Sequence, residues 1–163
     1  MKSDTIAAIA TALSDAGIGI IRISGPEAIA VANRVVVNKK KEHTLKKWQT
    51  HTIHYGFVEE NGTILDEVMV SVMKAPRSYT TEDTVEINCH GGVLLTKRVL
   101  EAVLHAGARM AEPGEFTKRA FLSGRIDLSE AEAVMDLIQA KNQFSMQASI
   151  KQLRGSVAEK VKS

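Results

Sequence analysis

Asn61-Gly62 is the dipeptide that most narrows the folds open to this chain. Both residues tolerate the positive φ angles that a two-residue hairpin turn demands. On either side stand alternating β-rich runs, Thr50–Glu59 and Thr63–Lys74. The spacing predicts two long antiparallel strands joined through that turn.

The neighbouring segments supply more strands and the helices that pack on them. Ile6–Ala12 and Ile18–Ser24 are short apolar runs separated by Ser14-Asp15-Ala16-Gly17, which reads as two strands around a loop. Ser24-Gly25-Pro26-Glu27 then predicts a helix start: a capping hydroxyl, a proline early in the first turn and an acid facing the positive helix end. Its expected buried face is Ala28, Val31, Ala32 and Val35, followed by a lysine-heavy connector over Asn38–Lys47. Thr84–Cys89 reads as another strand, turned by His90-Gly91-Gly92 into a helix over Val93–His105. Ala108–Ala111 is a last short strand, and a helix over Gly114–Leu122 stops at Gly124. Strands and helices mix without a βαβ rhythm, so the expected class is α+β: a mixed β-sheet with helices packed on it.

The tail has a different character. Ser129-x-x-Glu132 reads as a capping box, and helical pattern continues from it to the end of the chain. Leu137, Ile138, Ile150, Leu153, Val157 and Val161 keep an apolar stripe that one helix cannot bury against itself. The stripe suits either a terminal helix docked on its own domain or partner, or the first helix of a larger bundle. The expected division is a domain over residues 1–122 and the opening of a second over 123–163.

Composition excludes several function classes. With 21 basic and 19 acidic residues the chain carries +2, which is no nucleic-acid footprint by itself. A single Cys rules out a disulfide framework and suits a reducing compartment. No apolar run has membrane-spanning length, and Met1-Lys2-Ser3-Asp4 leads into no secretory core, so the expectation is a cytoplasmic protein without membrane contact. No G-x-x-x-x-G-K-[S/T] phosphate loop and no Asn-Lys-x-Asp motif is present. GTP hydrolysis needs backbone amides and a lysine around the phosphates, and this chain does not supply them.

Charged residues on strands are the remaining candidates. Arg22 lies opposite Ile21 and Ile23 by alternation, either as an outward-facing strand residue or as a guanidinium offered to an anion. Glu86, in Val85-Glu86-Ile87, either faces solvent, pairs with a cross-strand Lys or Arg, or accepts paired hydrogen bonds from an N–H and an adjacent amino group. Cys89 and His90 point to opposite faces, so a buried structural thiol is expected rather than a nucleophile. His51 and His54 also face opposite ways, and no metal-ligand spacing surrounds them. Lys39–Lys41, Lys46, Lys47 and Trp48 form the one basic cluster with an aromatic beside it, either a solvated connector or an RNA contact. Lys118 and Arg119 complete the set with Arg125, which follows Gly124 at the seam before the tail, a kind of place where pockets form.

Three segments carry a resemblance. Ala111–Ile138 packs a Pro-Gly turn, a basic pair, a Ser-Gly-Arg stop and a capped new helix into one stretch. It resembles the junction between the N-terminal and helical domains of the bacterial tRNA-modifying GTPases, the MnmE (or TrmE) family. DTIAAIATA with GIGIIRISG near the start, and TTEDTVEINCHGG over Thr80–Gly92, are similar to the same family in the same order. The resemblance implies a fold like the tetrahydrofolate-binding domain of aminomethyltransferases, followed by a long helix from a truncated helical domain. It implies a domain that forms a homodimer and holds 5-formyl- or 5,10-methylene-tetrahydrofolate. It further implies a parent protein that hydrolyses GTP with Mg and K in a GTPase domain absent from this chain. That parent works with a flavin-containing partner (MnmG or GidA) to modify uridine at the tRNA wobble position. The family's folate contacts fall on Arg22 of the I-x-R-x-S-G strand, Glu86 of the E-D-x-x-E-I strand and Arg125 after the F-L-x-x turn. The family's C-terminal Cys signature is missing, so the chain alone is expected to be a binding module. Two rival functions are a stand-alone folate-dependent one-carbon transferase and a small RNA-binding module.

Overall fold

The computed structural model describes residues 4–11 and 18–140. The chain divides into two compact units, Met1–Glu112 and Pro113–Ser163. In the first unit the strands are β1 (Ile6–Ile9), β2 (Gly19–Ser24), β3 (Val36–Val37), β4 (Thr52–Glu60), β5 (Thr63–Met73), β6 (Thr84–Cys89) and β7 (Arg109–Met110). Helices α1 (Ala28–Val35) and α2 (Gly92–His105) and a 3-10 turn at Leu45–Lys47 complete it. All seven strands form one mixed sheet in the order β3-β4-β5-β6-β2-β1-β7, so the class is α+β. Most neighbours run antiparallel, whereas β1 and β7 pair in parallel.

The long hairpin forms where Asn61-Gly62 places it. Asn61 has φ +53° and Gly62 φ +80°, the double positive pair that lets β4 turn directly into β5. Alternation then assigns one sheet face to the core. Register pairs Ile21 with Ile87 and Ile87 with Val70, while Ile23, Val85 and Val72 form the next row, and all six are fully buried. Both helices close this face, α1 through Ala28, Val31, Ala32 and Val35, and α2 through Val99, Leu100, Ala102 and Val103. Each large side chain so buried contributes roughly 1.5–3 kcal/mol.

The helix start departs from expectation. Ser24 does not cap α1: Glu27 occupies the cap position, and its N–H donates to Thr5 Oγ1 at 2.8 Å. Ser24 is instead drawn into bonds with Thr80 and Glu82, partners remote in sequence. The lysine-heavy connector is also anchored, since Leu45 is buried in the core at its centre.

In the second unit, helix α3 covers Glu115–Leu122. It ends in a Schellman arrangement, with Gly124 N–H donating to Phe121 O at 3.0 Å and Arg125 N–H to Ala120 O at 2.9 Å. Another helix begins at residue 128 and is described to residue 140. Asp127 rather than Ser129 caps it: Asp127 Oδ1 accepts the Glu130 N–H at 2.7 Å, which leaves Ser129 inside the first turn. The stripe positions Ile150, Leu153, Val157 and Val161 lie outside the described residues. No helix among the described residues is long and apolar enough to cross a membrane.

Candidate functional site

The sheet face opposite the helices carries the two strand charges. Antiparallel register sets Arg22 on β2 directly across from Glu86 on β6. Their side chains meet there, with Arg22 Nε donating to Glu86 Oε2 at 2.8 Å. The pair is half-buried, at 31% and 24% side-chain exposure, which shields it from full solvent screening. Glu86 Oε1 takes no hydrogen bond among the described residues. One oxygen is thus held by the guanidinium while the other remains as an acceptor of fixed direction.

Neighbouring residues follow from the same register. Ser71 on β5 lies across from Glu86, and Ala8 on β1 lies across from Arg22. Asn88 and Met69 form the adjacent row with Ile20. Beyond them Ile53 and Tyr55 of β4 are 65% and 48% exposed. A charged, hydrogen-bonding centre therefore has apolar side chains beside it. That combination suits a flat heterocycle with a polar edge.

Cys89 belongs to the opposite, helix-covered face and is completely buried. Burial, and then the Asp66 carboxylate, push its thiol up to about 12, while the Thr96 hydroxyl acts in the other direction. The thiol is thus protonated and enclosed. The expected result is no alkylation of Cys89 by iodoacetamide at pH 8 in buffer and full alkylation in denaturant, read by mass spectrometry. The unfolded thiol ionises near its ordinary 9.0, below the folded value, so Cys89 contributes stability below pH 9.0 that is lost as pH rises towards about 12. His90 is separate from it: the His90 and Gly91 N–H groups donate to Asp66 Oδ2 at 2.9 and 3.0 Å, which fixes the turn into α2.

In the connector, Lys39, Lys40, Lys41, Lys46 and Lys47 are all exposed. Trp48 stacks on His54 with ring centroids 3.8 Å apart and planes 16° from parallel. One indole face is thereby occupied by a protein ring. Among the described residues there is no cluster of His, Cys, Asp and Glu fit to hold a metal ion. Arg125 belongs to the second unit, where it follows the Gly124 turn as an exposed residue.

Residues 5–125 match the family model described as GTP-binding protein TrmE N-terminus. This chain belongs to the TrmE N-terminal family. It is 61% identical over 162 residues to the tRNA modification GTPase MnmE of Lachnoclostridium phytofermentans, a match covering 99% of this chain and 35% of that protein. It is 56% identical over 158 residues to the tRNA modification GTPase MnmE of Listeria welshimeri, covering 97% and 34%. A third, from Streptococcus thermophilus, is 57% identical over 154 residues, covering 94% and 33%. The chain spans about a third of the length of these curated relatives.

The TrmE N-terminal match reaches from the start of β1 through Arg125, so all three sequence-predicted site residues fall inside it. The structure brings Arg22 and Glu86 together. Sequence reasoning missed Ser24, Thr80 and Glu82, which hydrogen-bond one another at one end of β2. A signal for Ser24 was present, because alternation puts it on the Arg22 face. Nothing local signals its partners, which lie 56 and 58 residues away.

Proposed function

We propose that this chain is the folate-binding and dimerisation domain of a tRNA modification GTPase. The observation that carries this reading is the Arg22–Glu86 pair, formed at two of the positions the family resemblance assigns to folate. Glu86 Oε1 would accept hydrogen bonds from the pterin's N–H and amino edge, with Arg22 orienting the carboxylate through Oε2. The resemblance also assigns Arg22 and Arg125 to the folate, either to balance its carboxylates or to shape the site. The bound species is 5-formyl- or 5,10-methylene-tetrahydrofolate.

In this reading residues 1–122 form the folate domain and 123–163 open the helical domain. That functional boundary follows α3, whereas the first compact unit ends at Glu112. The full-length protein is a cytoplasmic homodimer that hydrolyses GTP with Mg and K. It acts with a flavin-containing partner (MnmG or GidA) on wobble uridine, and meets tRNA through that complex. The relatives' name, tRNA modification GTPase, supports this assignment.

The test is isothermal titration of 5-formyltetrahydrofolate into the purified chain, with mass read by light scattering in the same buffer. Saturable micromolar binding by a dimer is expected. A folded chain giving no binding heat would remove the folate assignment. A monomeric mass at every concentration would remove the dimerisation role.

A further inference from the structure

The end of β2 carries a closed ring of hydrogen bonds beside the Arg22–Glu86 pair. Ser24 Oγ donates to Glu82 Oε1 at 2.9 Å and lies 2.6 Å from Thr80 Oγ1. A hydroxyl has one proton, and that of Ser24 goes to the carboxylate, so Thr80 is the donor to Ser24. The Glu82 N–H then donates to Thr80 Oγ1 at 3.3 Å and closes the ring. Ser24 and Thr80 are buried, where an unmade bond is costly.

This ring holds a strained segment. Thr81, between two of its members, has φ +66°, a left-handed conformation that a β-branched residue strongly disfavours. Such strain persists only where surrounding bonds over-determine it, and it concentrates at ligand clamps and active sites. Here the Thr81 N–H donates to Ser78 O at 3.2 Å, and Ser78 Oγ donates to Glu82 O. Ser24 is two residues from Arg22 on one strand face, roughly 7 Å along it. The strained segment is therefore tied down next to the charged pair.

We propose that the Ser24–Thr80–Glu82 ring positions the Ser78–Asp83 segment as one wall of the ligand site, with Glu82 as its positioning residue. The proposal rests on the folate reading and names a part of the site beyond the three folate positions. Glu82 holds Ser24 through a carboxylate oxygen, and an amide oxygen can accept the same hydrogen bond. Glu82→Gln retains an oxygen for Ser24, whereas Glu82→Ala and Thr80→Val open the ring.

The experiment titrates 5-formyltetrahydrofolate into the wild-type chain and these three variants, at a temperature where melting curves show each one folded. Glu82→Ala and Thr80→Val are expected to weaken binding about tenfold, the scale of one lost buried hydrogen bond. Glu82→Gln should stay close to wild type. If Glu82→Ala melts below the assay temperature, Thr80→Val carries the same comparison. Wild-type affinity in the ring-opened variants, alongside a loss in Arg22→Ala, would overturn the proposal and leave the folate reading standing. Equal losses in Glu82→Gln and Glu82→Ala would overturn it too, since the charge would then act directly. If the wild-type chain takes up no folate, the underlying reading falls and this inference falls with it.

Discussion

Replacing Arg22 by alanine is expected to weaken 5-formyltetrahydrofolate binding by about ten- to a hundredfold while leaving the chain folded. Hydrogen bonds to charged groups contribute about 1.5–3 kcal/mol, and about 1.4 kcal/mol is a factor of ten in affinity. Two effects combine in this variant. The ligand loses a guanidinium, and Glu86 loses the partner that fixes its carboxylate at 2.8 Å. Glu86→Ala should lose at least as much, because it removes the acceptor itself. The two residues touch, so the double variant should lose less than the sum of the singles. Stability should barely respond, since a part-exposed ion pair is typically worth up to about 1 kcal/mol. Titration calorimetry beside thermal melts separates these outcomes. Unchanged affinity in Arg22→Ala would remove the residue from the site.

Gly25→Ala is expected to be the most damaging small substitution in the first unit. Gly25 has φ +142°, and a Cβ there would lie 2.6 Å from the Thr5 backbone Cα and 2.9 Å from Asp4 O. Neither neighbour is the end of a flexible side chain. Backbone strain and steric overlap therefore add, and the loss should be at least about 3 kcal/mol. Gly62→Ala is the natural control. It has φ +80°, but nothing lies within 4 Å of the added carbon. Strain alone remains there, about 1 kcal/mol. Urea melts should show Gly25→Ala shifted several times further than Gly62→Ala. Equal midpoints would mean that the close approach to Thr5 relaxes freely.

The difference between these two glycines parallels what the sequence disclosed. Gly62 was legible because its turn is local: a dipeptide and two alternating runs define it. Thr84–Cys89 was legible to the residue for the same reason, and so was the buried face of α1. Sheet order was not, because a period of two assigns faces without naming neighbours. Nothing local places β6 between β5 and β2, or sets β1 parallel to β7. Ser24 was misread on the same grounds. Beside Gly-Pro-Glu it looks like a helix cap, yet its partners arrive from the far side of the hairpin. Arg22 was readable as a solvated strand charge, and Glu86 as another or as the partner of a cross-strand Lys or Arg. Only the family resemblance put them in one site, and the register of β2 against β6 puts them in contact.

Sequence separation also sets when these parts assemble. The β4–β5 hairpin closes through two residues and can form in microseconds, roughly 1–10 μs for such units. Arg22 and Glu86 are 64 residues apart, and their strands pair only after that much chain has been drawn into a loop. The hairpin therefore has the kinetic advantage over the pairing of β2 with β6. A ligand held across β2 and β6 would slow the separation of those strands more than the opening of the hairpin. Its presence would lengthen the lifetime of the native state, with little change in the rate of reaching it.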